Sequence, residues 1–166
     1  LTRSSAASDV YKRQLPNGVD DFWFDSPKSK KKIEGFRFLM VGRNDSVKGF
    51  SVLLEALQLL DEPISVHFVG DWPRVESTQH NLTYHGVVRD KRRMMDIMDS
   101  CDVLILPSLS EGMPTVILEA AARGVVSVAS DVGAVSEIVP LENMFEPGSA
   151  QSLKAVSYTH LTLPTI

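Results

Sequence analysis

With one cysteine in 166 residues, the chain can make no internal disulfide. Cys101 stands among Met98, Val103 and Leu104 and reads as a core thiol in a chain suited to a reducing compartment. A run of about 18 apolar residues, the length a membrane span needs, is also lacking. The N-terminus has no long apolar stretch of the export-signal kind, so the sequence reads as soluble. Basic charge is not in excess: 17 Lys and Arg stand against 21 Asp and Glu, a formal net charge of -4. That balance gives no electrostatic case for a nucleic-acid partner or an anionic membrane surface, and any anion must be held locally. There is no Asp-x-Asp pair to clamp a divalent ion against phosphates, and the expectation is a site with no metal. His67, His80 and His85 stand in no metal-ligand or base-like pattern and read as structural or solvated.

What is present is a 43% hydrophobic chain of the length of one ordinary domain. Residues 1–14 show no periodicity and lead abruptly into Leu15-Pro16-Asn17-Gly18-Val19-Asp20, and residues 156–166 follow a helix start that reads as interrupted after Ala155. Both ends resemble peptide translated from adapter or vector sequence, which leaves 15–155 as the expected domain. Lys28, Lys30, Lys31 and Lys32 read as a solvated linker. From Phe36 onward short apolar runs alternate with helical patterns. Phe36 to Val41, Ile64 to Val69, Leu82 to His85, Val103 to Leu106 and Val125 to Ala129 read as strands. Phe50, Leu53, Leu54, Leu57 and Leu60 share one helical face, Lys91 to Ser100 presents Met94, Ile97 and Met98, and Thr115 to Arg123 is rich in helix formers. The alternation predicts an α/β domain, a Rossmann-like parallel sheet with helices on both faces.

In such a sheet ligands bind beyond the carboxyl ends of the strands. The first strand exits into Gly42-Arg43-Asn44-Asp45-Ser46-Val47-Lys48-Gly49, two cations around a polar turn before a helix whose N-terminus is positive. This suits a diphosphate, although Arg43 and Lys48 can equally be read as solvated loop charges. The strand at Val103 to Leu106 exits into a segment running from Pro107 to Glu119. Gly112 there allows a tight backbone path, Pro114 suits a first helical turn, and the N–H groups of Thr115 and Val116 face the same crevice. Glu111 in the loop and Glu119 about one turn into the helix are acceptors for sugar or ribose hydroxyls. The alternatives are a helix-start carboxylate for Glu111 and a surface one for Glu119.

Taken in register, LPNGVD, VGRNDSVKG, PSLSEGMPTVILEAAARG and SVASDVGAVSEIV resemble the C-terminal domain of retaining glycosyltransferases of family 4, group 1, which have the GT-B fold. The central element is a glutamate, seven residues, and a second glutamate, here Glu111 and Glu119. The resemblance implies that Arg43 and Lys48 bind the donor diphosphate, Glu111 the transferred sugar and Glu119 the ribose hydroxyls, with Gly42, Gly112, Met113, Pro114, Thr115 and Val116 as further donor-site residues. The turn Gly86-Val87-Val88-Arg89 resembles the segment that holds the nucleobase, which assigns Val87 and Arg89 to it. The implied donor is a UDP-, GDP- or ADP-sugar with no resident cofactor. The implied acceptor is a saccharide or lipid-linked sugar, bound by an N-terminal domain that the fragment lacks, so that the fragment alone is inactive. The implied setting is cytoplasmic polysaccharide or glycolipid assembly, with the full enzyme able to sit at the inner face of a membrane. Two places depart from the pattern: Val125 stands where proline often follows Gly124, and Ala134 stands where a second glycine is common. Two rivals stay open, a noncatalytic nucleotide-binding module and an NAD(P)-dependent oxidoreductase domain. The second lacks its Gly-x-Gly-x-x-Gly turn here.

Overall fold

The computed structural model describes residues 17–25 and 35–162. The lysine run at 28–32, the first expected foreign end at 1–14 and the last four residues lie outside the described residues. The apolar runs form six strands: β1 (Arg37–Val41), β2 (Ser65–Val69), β3 (Asn81–Gly86), β4 (Val103–Leu106), β5 (Val126–Ser130) and β6 (Met144–Phe145). They pair in parallel in the order β3-β2-β1-β4-β5-β6, with four helices between or after them: α1 (Phe50–Leu59), α2 (Lys91–Asp99), α3 (Thr115–Ala122) and α4 (Ala150–Thr162).

The central strands β1 and β4 are apolar on both sides because each side is covered. Alternate residues of β1 part company: Phe38 and Met40 join Val66, Phe68, Ile105 and Val128 under α1 and α4, where Leu53, Leu57 and Leu153 meet them. Leu39, by contrast, joins Leu104, Leu106 and Ala129 under α2 and α3, with Met94, Met98, Ile117, Ala120 and the fully buried Cys101. Full burial of each Val, Leu, Ile, Phe or Met side chain among them stabilises the fold by about 1.5–3 kcal/mol before the entropy of ordering it is counted. Asp90 caps α2 by accepting the Arg93 N–H at 2.9 Å.

Two features differ from the sequence expectation. Strand β6 has two residues, too few for a periodic signal. The break expected after Ala155 is absent: α4 continues to Thr162, with Leu153 and Ser157 buried and Val156 packed on the core. The polar residues of this stretch concealed a helix that tertiary contact with α1 supports.

Candidate functional site

Strand β1 crosses over to β2 on one side, and β4 crosses over to β5 on the other. The strand order therefore reverses between the adjacent parallel strands β1 and β4, and the loops leaving their carboxyl ends open around a crevice. The loop after β1 turns through a short 3-10 segment, Ser46–Lys48, which Asp45 caps by accepting the Val47 N–H at 3.2 Å. Gly49 then lies in the left-handed region at φ 68°, so close to the loop after β4 that an added Cβ would fall 1.8 Å from the Pro107 carbonyl oxygen. The Leu109 N–H donates to the Val47 carbonyl at 2.7 Å and completes the join. A third loop, after β5, closes from the other side: a Cβ on Gly133 would lie 2.0 Å from the Glu111 carbonyl oxygen, and the Ala134 N–H donates to the Gly112 carbonyl at 3.0 Å.

The tight approach expected at Gly112 is thus found across the loop at Gly133. Gly112 has no positive φ, and a Cβ there would meet nothing within 4 Å. Ala134, at φ -89°, needs no glycine.

At the join sits a charged hub. Lys48 Nζ donates to Glu111 Oε1 at 2.6 Å, and Ser108 Oγ donates to the same oxygen at 2.6 Å. With side-chain exposures of 22% and 9%, Lys48 and Glu111 are a shielded pair and not two solvated charges. Glu111 Oε2 remains an acceptor, and the lysine keeps donors beyond the one it gives to Glu111. Arg43 is exposed on the same loop. The helices that follow both loops, α1 and α3, begin without a side-chain cap, so the N–H groups of Thr115 and Val116 remain for an anion. The arrangement can bind a diphosphate between the held Lys48, the exposed Arg43 and the helix N-termini, with carboxylates placed for hydroxyl groups.

Beside the hub lies a cavity of about 410 Å³, walled by Val41 and Val69 from the strand ends, Val88 to Lys91 and Met94 from the approach to α2, and Thr115 and Glu119 from α3. Its outer wall is the strap 17–25, which contributes Gly18, Val19, Asp20 and Trp23. The volume falls in the usual range of small-molecule sites, about 300–1,000 Å³. Burial raises the proton affinity of the Glu119 carboxyl, and the Lys91 charge opposes that rise. Glu119 is half-buried in the cavity wall and not a surface residue.

The structure brings Gly42, Lys48, Glu111, Gly112, Met113, Pro114, Thr115, Val116 and Glu119 to the two adjoining loops and the first turns of α3, and Arg89 to the cavity. Val87 is 63% exposed, and its neighbour Val88 stands in the cavity wall instead. Met113 receives two hydrogen bonds from Asn17, its Sδ from the backbone N–H at 3.2 Å and its carbonyl from Nδ2 at 3.3 Å, which ties the strap to the glutamate loop. Sequence reasoning missed Ser108, Asp20, Lys91 and Arg123. Ser108 had a signal, a hydroxyl three residues before the loop glutamate; the other three are paired over distances along the chain that no local pattern reports. His67, His80 and His85 stay out of the site: His80 is buried, with Nε2 donating to the Leu57 carbonyl at 2.8 Å, and His67 and His85 meet at 2.9 Å across β2 and β3.

Residues 35–158 match the family model described as glycosyl transferases group 1. TuaC of Bacillus subtilis (strain 168), named for teichuronic acid biosynthesis, is 38% identical over 116 residues, 68% of this chain and 30% of the relative. The UDP-Gal:α-D-GlcNAc-diphosphoundecaprenol α-1,3-galactosyltransferase of Escherichia coli is 33% identical over 141 residues, 71% of this chain and 36% of the relative. The chain therefore spans about a third of the length of these relatives. Among solved structures, the C-terminal domain of the group 1 glycosyl transferase LpcC from Francisella tularensis superposes with a TM-score of 0.71 at 22% identity, covering 88% of this chain and 89% of that one. The parallel sheet thus has the fold of a GT-B C-terminal domain, and no helix among the described residues is long and apolar enough to cross a membrane.

Proposed function

The chain belongs to the glycosyl transferases group 1 family, and on that premise we propose that it is the donor-binding domain of a retaining, metal-independent hexosyltransferase. The observation that carries the reading is the shielded Lys48–Glu111 pair at the reversal point of the sheet, flanked by two uncapped helix N-termini. Glycosyl transfer from a nucleotide sugar builds negative charge on the departing diphosphate. Fixed cations and helix N–H groups stabilise that charge as it develops. Lys48 and Arg43 take this role, with the N–H groups of Thr115 and Val116. Glu111 receives a hydroxyl of the transferred sugar, and Glu119 receives the vicinal hydroxyls of the ribose. The nucleobase enters the cavity between Val88, Arg89 and the strap.

A UDP-hexose is the preferred donor, on the strength of the E. coli relative named for UDP-Gal. The acceptor, a saccharide or a lipid-linked sugar, is bound by the enzyme's other domain, so the domain described here binds donor without transferring it. The attack comes from the face the diphosphate leaves, in the cytoplasm, with the whole enzyme peripheral to the inner membrane face.

The test is calorimetric titration of the chain with UDP, GDP and ADP, with and without magnesium, against Arg43→Ala and Lys48→Ala. Weak binding of one diphosphate is expected, roughly millimolar or about -4 kcal/mol, indifferent to magnesium. Removing Lys48 should cost about 1.5–3 kcal/mol, the worth of a charged hydrogen bond, and so abolish detectable binding. A folded protein that binds no diphosphate, or binds one regardless of both substitutions, refutes the proposal.

A further inference from the structure

The strap does more than wall the cavity. Lys91, the first residue of α2, is held by it twice: Nζ donates to Asp20 Oδ2 at 3.0 Å and lies 5.8 Å from the centre of the Phe22 ring. Asp20 is itself fixed, because it caps the 3-10 turn Asp21–Phe24 by accepting the Phe22 N–H at 3.0 Å. The Phe22 amide and then the Lys91 ammonium hold the Asp20 carboxyl below its ordinary range. Asp20, Lys91 and Glu119 all line the one cavity. The sequence places these three residues on three separate elements, and nothing in the donor-domain reading gives Lys91 or Asp20 a role.

We propose that Asp20 and Lys91 are a positioning pair for the nucleoside: the strap holds the Lys91 ammonium on the wall it shares with Glu119, and there it keeps that carboxylate ready to accept the nucleoside's vicinal hydroxyls. The inference rests on the donor-domain reading. A half-buried carboxylate resists ionisation, and a protonated Glu119 would offer one acceptor oxygen fewer to a diol. The remaining charged groups on the cavity wall are Arg89 and Asp90, adjacent in the chain and of opposite sign. Arg123, one turn further along the chain than Glu119, is committed to Asp99. Lys91 is therefore the cation whose charge bears on Glu119. Loss of Lys91 moves the ionisation of Glu119 to higher pH, so nucleotide binding fails earlier on acidification.

The experiment titrates the full chain and its Lys91→Met, Lys91→Arg and Asp20→Asn variants with UDP and with 2′,3′-dideoxy-UDP between pH 5 and 8. Lys91→Met should weaken UDP about two- to five-fold near neutrality, the scale of an exposed ion pair, and shift the acid loss of binding upward in pH. Lys91→Arg should restore both, and Asp20→Asn should fall between. Dideoxy-UDP, with no diol for Glu119, should bind parent and Lys91→Met alike. Equal weakening of both ligands, or an unshifted pH profile, would make Lys91 merely structural and overturn the proposal. If the folded parent binds neither ligand, the donor-domain reading itself has failed, which the parent's titration shows before any variant is compared.

Discussion

Arg123 offers a quantitative test of how the cavity wall is held. The residue is 4% exposed, with Nε and one terminal nitrogen on the two oxygens of Asp99 at 2.7 and 2.6 Å. Its other terminal nitrogen donates to the Trp23 carbonyl at 3.0 Å and to the Asp25 carbonyl, so one side chain fastens the strap to α2 and α3. The Asp99 hydrogen bonds outweigh burial and raise the proton affinity of the guanidinium, which stays charged.

Arg123→Met leaves the carboxylate of Asp99, itself only 9% exposed, without its cation. Breaking a buried pair from one side costs about 3–5 kcal/mol, a large share of the roughly 5–15 kcal/mol that hold a domain together. Urea unfolding followed by circular dichroism should show the midpoint falling by about 1.5–2.5 M at a slope of about 2 kcal/mol/M. Replacing both partners, Arg123→Met with Asp99→Leu, removes the orphaned charge and should regain most of the loss. It should not regain all of it, because the Trp23 and Asp25 carbonyls lose their donor, at about 1 kcal/mol each. A single-variant loss under about 1 kcal/mol, or a double variant no better than the single, would refute the assignment of Arg123 as the clamp.

Gly49→Ala should destabilise by about 2 kcal/mol or more and weaken nucleotide binding with it, since a left-handed backbone and a carbonyl 1.8 Å from the new carbon both oppose it. Gly112→Ala, in open space, should stay within about 0.5 kcal/mol in the same denaturation assay. The His67–His85 pair makes stability pH-dependent. Burial lowers both proton affinities from the ordinary value of 6.5, with the facing His85 and then Arg37 adding to it for His67, and Arg93 for His85. The unfolded chain therefore binds more protons below that value, and thermal stability should be full above about pH 6.5 and fall as the pH drops past it. A melting temperature flat from pH 7.5 to 5, or equally steep in a His67→Gln, His85→Gln variant, would contradict this.

Much of the fold was legible because short-range patterns carry it. Apolar runs four to six residues long, separated by helical periodicity, left little choice but a parallel sheet, and the strands fall within a residue or two of the sequence reading. The site loops were legible for the same reason: Gly42 to Gly49 and Pro107 to Glu119 are continuous segments at strand ends, and their residue types alone suit an anion and a diol. Strand β6 and the later turns of α4 were not legible, since both depend on a neighbour for their stability and not on their own residues.

By itself, then, the sequence determined the α/β alternation, the family, and the two loops that hold Arg43, Lys48 and Glu111, with Glu119 on the helix that follows the second. The tertiary structure alone decided which charges meet. Lys48 and Glu111 are 63 positions apart, Asp20 and Lys91 are 71 apart, and Arg123 reaches the Trp23 carbonyl across 100. Periodicity reports a residue's face on its own element and is blind to what the next element brings against it. Whether a lysine is a solvated loop charge or half of a shielded pair is settled only when the sheet sets two strand ends side by side.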